Sequence, residues 1–383
     1  MSARLNRSLL IAFGLLAVCL AALGGVAGAA APTGDTIPPV APVLINGDVE
    51  CATGYYTTTN AAGRVIYIPN DWQLVINNGA PKTHSARLNF TGACGDGGHV
   101  ERFTGLDSIL VEAQNLETPP DPGKPFDVSF VQQVAAVEGG AYSFSGWLLS
   151  LCGGSAVPSD CPEGYYMAKM LGIDPTGGAD PLADTVVWVE NRRNFWENGN
   201  RVGWANLYLS VVAEAPVITV FARIASPFQW HGNHGFIDAL SLVRAPAASL
   251  AIPRRVEGGA LLVIWDAVQS PDVAAIPGGN YKLLVDVQTR HINAEAWTDW
   301  VESHEGSGSQ VFSPTCLADT YQFRVRARAE QPDNEDGAWP NHRFPGVWSD
   351  PVNVTFRPVR EPASPAPGDH RAYLPLIGAY RVC

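Results

Sequence analysis

Alternation of apolar and polar residues with a period of two dominates this chain, and it is clearest between Trp204 and Val243. In Trp204–Ala213, Ala205, Leu207, Leu209, Val211 and Ala213 are apolar, whereas Trp204, Asn206, Tyr208 and Ser210 are aromatic or polar. A period of two predicts a strand with one face on a core. Glu214-Ala215-Pro216 breaks the pattern, because proline cannot donate to a ladder and suits a turn. Val217–Ala225 resumes it, with Ile218, Val220, Ala222 and Ile224 on one face and Thr219, Phe221 and Arg223 on the other. The two runs therefore read as a hairpin. Phe236–Val243 reads as a third strand, after a loop at Ser226–Gly235.

The same period recurs in Ala260–Trp265, Tyr281–Thr289, Trp297–Val301, Gln310–Ser313, Tyr321–Ala327 and Val352–Phe356, with turn residues between the runs. The expected fold class is all-β: a β-sandwich over residues 45–244, a short linker at 245–248, and a smaller sandwich over 249–356. His291–Ala296 and Glu330–Phe344 are expected to be enlarged loops of the second sandwich. A proline-rich leader at 31–44 precedes these modules. A Pro/Ala-rich tail with a short apolar patch, Tyr373–Ile377, follows at 357–383.

Residues 1–30 break the β pattern altogether. Arg4 and Arg7 are followed by the almost purely apolar Leu9–Val26 and by Ala27-Gly28-Ala29, the layout of a cleaved signal peptide. No other stretch approaches the roughly 20 apolar residues of a membrane-spanning helix, so a secreted or cell-surface protein is expected. The formal charge is −12, and removing two arginines and no acids makes it −14. That balance argues against nucleic acid and against anionic membrane as partners.

Of seven cysteines, Cys19 leaves with the signal peptide and six remain: Cys51, Cys94, Cys152, Cys161, Cys316 and Cys383. An even number in an exported chain reads as disulfides. Cys152 and Cys161 bracket a short loop and are expected to pair. Cys51 with Cys94, both in the first module, comes next, which leaves Cys316 with Cys383.

Asn46-Gly47-Asp48-Val49-Glu50 and Phe236-Ile237-Asp238 resemble the first and last strands of calcium-stabilised jelly-roll carbohydrate-binding modules of the galactose-binding-like group. Val131–Val134 and Gly139–Trp147 resemble the strand–turn–strand unit of that family. The resemblance implies a bound poly- or oligosaccharide and a structural Ca2+ held by Asp48, Glu50 and Asp238. Ala239 departs from it, standing where such modules often carry a second aspartate. Trp265, Tyr321–Ala327 and Gly346-Val347-Trp348-Ser349 resemble a fibronectin type III domain, with Trp265 a core anchor and Tyr321 a tyrosine-corner residue.

The candidate chemistry lies on the side of the central strands that faces away from the core. Trp204, Asn206, Tyr208 and Arg223 are expected to share one face, joined by Trp188 and Glu190 from Thr185–Glu190 and by Trp147. Aromatic faces stack on sugar C–H surfaces while amide, carboxylate and guanidinium groups pair with hydroxyls. His231 and His234 lie three apart around Gly-Asn, a loop rather than a metal-binding helix, and lack a third ligand nearby. Glycoside hydrolysis needs two carboxylates across a cleft, for which Glu190 and Glu197 are the candidates beside the tryptophans. The reading is a non-catalytic carbohydrate-binding protein. Its alternatives are a structural or adhesive surface protein with cell-surface protein partners, and a jelly-roll polysaccharide hydrolase or lyase.

Overall fold

The computed structural model describes residues 44–86, 94–95, 102–112, 125–151, 167–192, 203–226, 233–276, 279–332 and 342–358. The expected signal peptide lies outside them, as do the leader up to residue 43 and the tail from residue 359. Among the described residues, twelve strands build the first sandwich: β1 (Tyr55–Thr59), β2 (Val65–Pro69), β3 (Gln73–Asn78), β4 (Lys82–Ser85), β5 (Ile109–Glu112), β6 (Phe126–Ala135), β7 (Ala141–Leu151), β8 (Ala168–Asp174), β9 (Val187–Asn191), β10 (Ala205–Val212), β11 (Val217–Ser226) and β12 (His234–Arg244). They form a β1-β2 ribbon and two five-stranded antiparallel sheets, ordered β10-β7-β12-β5-β4 and β3-β6-β11-β8-β9. The apolar alternation of the sequence becomes the core between these sheets. Leu207, Leu209 and Val211 enter it from one side, and Ile218, Val220, Ala222 and Ile224 enter it from the other.

That placement corrects the hairpin expectation. β10 and β11 lie in different sheets, and Glu214-Ala215-Pro216 is a corner where the chain crosses the core. The Ala136 amide donates to the Pro216 carbonyl at 2.9 Å, and the Glu214 amide to the Pro175 carbonyl at 2.9 Å, so both strand ends are pinned. Alternation specifies which side chains meet a core, not which sheet supplies the partner strand. The consequence for function is direct. Trp204, Asn206 and Tyr208 face outward on one side of the sandwich; Thr219, Phe221 and Arg223 face outward on the other.

The second sandwich comprises β13 (Ala247–Ala251), β14 (Arg255–Glu257), β15 (Leu261–Val268), a one-turn helix α1 (Pro271–Ala274), β16 (Lys282–His291), β17 (Thr298–Glu305), β18 (Gly308–Phe312), β19 (Thr320–Glu330), β20 (Arg343–Pro345) and β21 (Val352–Arg357). Sheet β13-β15-β18 packs against sheet β14-β21-β19-β16-β17, with β20 on β19. Trp265, Phe323, Val325 and Phe356 fill the core between them. The expected linker at 245–248 runs straight into β13, and the expected long loop at Glu330–Phe344 contains part of β20.

The two sandwiches are joined by packing as well as by the chain. Val243, Val273, Ala329 and Phe344 form one apolar cluster, and Asp272 of α1 accepts from the Arg244 amide and Nε, both at 2.8 Å. A disulfide links Cys51 and Cys94. Cys316 is also disulfide-bonded, while Cys383 and the pair Cys152 and Cys161 lie outside the described residues.

Candidate functional site

On the outer face of the β3-β6-β11-β8-β9 sheet the registers align three rows of side chains. One row runs Gln73, Val131, Phe221, Gly172, Trp188; the next runs Val75, Ser129, Arg223, Met170, Glu190. The third places Asp127 beside Ala225 and Ala168. Gly172 decides the posture of Trp188. A Cβ at Gly172 would stand 2.7 Å from the indole ring, so the ring lies over bare backbone that only glycine leaves free. Phe221 packs on the indole with ring centroids 5.7 Å apart and fixes it laterally.

Arg223 lies alongside, its guanidinium carbon 5.4 Å from the centre of the Trp188 ring. Its Nε donates to Asp127 Oδ1 at 2.8 Å and its Nη2 donates to Oδ2, a bidentate pair across neighbouring strands. Glu190 is paired with Arg192. These groups border a cavity of about 490 Å³ that also reaches Asn78, Met170 and Ser226. Half-buried indole, guanidinium and carboxylates therefore surround one open space. Such a lining can stack on an apolar ring face and hydrogen-bond at its rim.

Of the expected platform, the structure brings together Trp188, Glu190 and Arg223, and separates them from Trp147, Trp204, Asn206 and Tyr208. Those four belong to the opposite sheet, and that face is covered. Trp147 and Trp204 are each 2% exposed. Phe103 stacks on Trp147 with centroids 3.7 Å apart and meets Trp204 edge-on at 6.1 Å. Leu110, Leu149 and Phe236 complete a second apolar core there. The second sandwich covers the rest. Asn206 Oδ1 accepts from the Arg343 amide at 3.0 Å, and Tyr208 Oη accepts from Arg343 Nη1 at 3.0 Å. Ser210 Oγ donates to the Gly346 carbonyl at 3.1 Å.

Sequence reasoning missed Asp127, Arg192 and Gly172. Gly172 carried a readable signal, an isolated glycine inside an apolar run, which marks close approach of another group. Asp127 carried none, because its tie to Arg223 depends on β6 pairing with β11.

Of the residues the resemblance implies for calcium, Glu50 and Asp238 lie close enough for the Glu50 charge to act on Asp238. Asp48 is exposed, whereas Asp238 is fully buried. Asp238 Oδ2 accepts from the Phe103 and Thr104 amides at 2.7 and 2.9 Å. Its Oδ1 accepts from the Ala239 amide at 2.6 Å. Glu50 accepts from the Leu106 amide at 2.8 Å and sits beside Asp107. Among the described residues no group of three His, Cys, Asp or Glu is placed to hold a metal ion. Burial pushes the Asp238 pKa up to about 8 against the pull of the Thr104, Phe103 and Ala239 amides.

That shift carries a sign. The folded chain holds the Asp238 proton over a range, about pH 4 to 8, in which the unfolded chain has released it. Stability contributed by Asp238 is complete below about pH 4 and is lost as pH rises through about 8. Thermal melts of the wild type and of Asp238→Asn across this range are expected to show the decline only in the wild type. Calcium chelation tests the expected site separately: a loss of several degrees on chelation supports it, and unchanged melting curves remove it.

His234 opens β12 and contacts Glu112 Oε2 at 3.2 Å, with His84 on Oε1 at 3.1 Å. His231 and Glu197 lie outside the described residues.

This geometry defines a class: a two-sandwich β protein with an aromatic and charged groove on one sheet face. No family model matches the chain, and no curated protein matches it. Among solved structures, it is similar to TmCBM61 in complex with β-1,4-galactotriose, at 16% identity and TM-score 0.32, covering 52% of this chain and 97% of that one. It is similar to a family 16 carbohydrate-binding module at 12% identity and TM-score 0.22, covering 37% and 80%. The adhesin domain of Epf from Streptococcus pyogenes is similar at 8% identity and TM-score 0.23, covering 66% and 78%.

Proposed function

We propose that this chain is an exported carbohydrate-binding protein whose first sandwich holds a poly- or oligosaccharide in the Trp188 groove without cleaving it. The observation that carries the reading is the indole seated on Gly172 beside the open 490 Å³ cavity and the Arg223–Asp127 pair. The ring offers an apolar plate for one sugar face. Arg223, Asp127, Glu190 and Arg192 supply donors and acceptors for hydroxyls around it. Binding is favoured over hydrolysis because Asp127 and Glu190 are each engaged by an arginine. A general acid must instead keep a proton to deliver to the leaving oxygen.

The second sandwich is read as a fibronectin type III-like spacer. Its support is a three-stranded sheet on the larger one, the buried Trp265, and Tyr321 near the start of β19. The Tyr321 hydroxyl meets the Thr315 hydroxyl, six residues upstream, at 3.0 Å.

Affinity electrophoresis on gels containing neutral polysaccharides tests the groove. Retardation by at least one galactan or glucan is expected, with Trp188→Ala weakening it about tenfold or more, the scale of a lost stacking plate. Because Trp188 stands on the edge strand, the variant is expected to melt close to the wild type. Gly172→Ala, which displaces the ring without deleting it, is expected to weaken binding similarly. Equal retardation of Trp188→Ala and wild type would overturn the assignment.

A further inference from the structure

Five side chains interleave on the outer face of the second sandwich. The Arg290 guanidinium carbon lies 4.5 Å from the Trp297 ring centre, and that of Arg324 lies 4.3 Å from the same ring. Arg324 is also 4.6 Å from the Trp348 ring, and Arg326 is 4.5 Å from it. The order is Arg290, Trp297, Arg324, Trp348, Arg326, each of them half-buried. The indoles act as spacers that hold three guanidiniums in a fixed row, since cation–π attraction favours a guanidinium over each ring face.

The charges of this row are poorly balanced within the chain. Arg290 donates from Nε to Gln322 Oε1 at 2.7 Å and from Nη1 to the Glu295 carbonyl at 3.2 Å. Arg324 gives Nε and Nη2 to Gln288 Oε1 at 2.8 and 2.6 Å. Among the described residues neither is ion-paired with a carboxylate. Arg326 shares Asp286 with Arg328, Asp299 is bound to Gln288 Nε2 at 2.7 Å, and Glu302 lines the same pocket as Arg326. Burial lowers the Arg324 pKa, repulsion from Arg290 and Arg326 lowers it further, and Asp299 opposes the shift. A row of three cations standing together in a chain of net charge −12 is what an external anion would relieve.

We infer that this ladder binds an acidic polysaccharide, whose carboxylate or sulfate groups take the guanidinium edges left open between the indoles. Among the described residues no hydrogen bond within the chain engages Arg290 Nη2, Arg324 Nη1 or the two terminal nitrogens of Arg326. Several such donors side by side suit a chain that carries repeated anions. Guanidinium groups recognise planar carboxylates and sulfates through paired hydrogen bonds. Nucleic acid carries a denser charge, which the acidic remainder of the chain repels. The site uses no residue of the Trp188 groove and stands or falls separately from it.

The test is affinity electrophoresis of the full chain on gels containing polygalacturonate, dextran sulfate, neutral dextran or duplex DNA. Retardation by polygalacturonate or dextran sulfate is expected, which also tells carboxylate from sulfate. It is expected to fade as salt rises from about 0.05 to about 0.5 M, because exposed charges are then screened. The double variant Arg290→Gln/Arg326→Gln is expected to bind about tenfold more weakly, the scale of lost charged hydrogen bonds. Trp188→Ala is expected to bind the acidic gels as the wild type does. Arg290→Lys/Arg326→Lys keeps the charge but loses the paired hydrogen bonds, and is expected to bind between the wild type and the glutamine variant; thermal melts of both variants guard against a folding defect. The inference fails if neither acidic polysaccharide retards the wild type, or if the glutamine variant is retarded equally. It also fails if the lysine variant loses as much as the glutamine one, or if DNA retards the chain as strongly.

Discussion

Trp204→Ala is expected to lower the stability of the chain by about 3–5 kcal/mol, the usual loss when a buried tryptophan is truncated in a core. Trp204 is 2% exposed and packs between Phe103 and Phe236, with ring centroids 6.1 and 6.4 Å away. Nothing in that pocket is free to collapse into the space, because Trp147 and Phe103 are already stacked on each other. For a unit of this size the loss corresponds to a drop in Tm on the order of 10 °C. Calorimetry of the variant checks it. Polysaccharide binding measured well below the melting temperature is expected to be unchanged, because the Trp188 groove lies on the opposite sheet. A variant that melts with the wild type and loses polysaccharide would reverse the roles assigned to the two faces.

The contrast between Trp204 and Trp188 shows what the alternating pattern could convey. Alternation identified the inward residues of β10 and β11 correctly, since burial on one face imposes a period of two wherever the partner strand comes from. It placed six of the strands of the second sandwich within a few residues. It could not say that Glu214-Ala215-Pro216 crosses from sheet to sheet, because a corner and a hairpin use the same turn residues. Nor could it say what covers an outward face. Trp147 and Trp204 read as exposed aromatics on the strands themselves. Their cover comes from Phe103, about a hundred residues before Trp204, and from β20, which sits in a stretch that looks like a loop.

Of the site, the half that rests on local alternation was legible: Trp188, Glu190 and Arg223 emerge on one face. The half that rests on strand order was not. Asp127 meets Arg223 only because β6 and β11 are neighbours, and Gly172 lies under Trp188 only because β8 separates β9 from β11. The motif around Trp348 carried a family resemblance and no hint of its neighbours. Its contact with Arg324 and Arg326 required the register of β19.

Glu112→Ala is expected to be as damaging as the loss of Trp204, for an electrostatic reason. Glu112 stands on β5 between β4 and β12, and one carboxylate serves three partners. Lys82 Nζ donates to Oε1 at 2.9 Å, His84 Nε2 contacts the same oxygen at 3.1 Å, and His234 Nε2 contacts Oε2 at 3.2 Å. The Glu112, His84 and His234 side chains are each only 6% exposed, so water cannot replace the carboxylate once it is removed. Breaking a buried charged network by deleting one member costs about 3–5 kcal/mol, because the remaining polar groups stay desolvated. Glu112→Gln keeps the shape and one acceptor oxygen and is expected to cost less. The pH dependence has a definite direction. Burial alone raises the Glu112 pKa, but hydrogen bonds and charge from His234 and His84 outweigh it and hold the group well below the usual carboxylate range. Its contribution is therefore complete above the unfolded value of about 4.3 and is lost as pH falls from there toward the depressed folded value. Urea unfolding at pH 7, 4 and 3 measures both effects. The wild type is expected to lose stability over the two acid steps, while Glu112→Ala begins lower and changes less. A variant matching the wild type at pH 7 would mean that Lys82, His84 and His234 do not depend on this carboxylate.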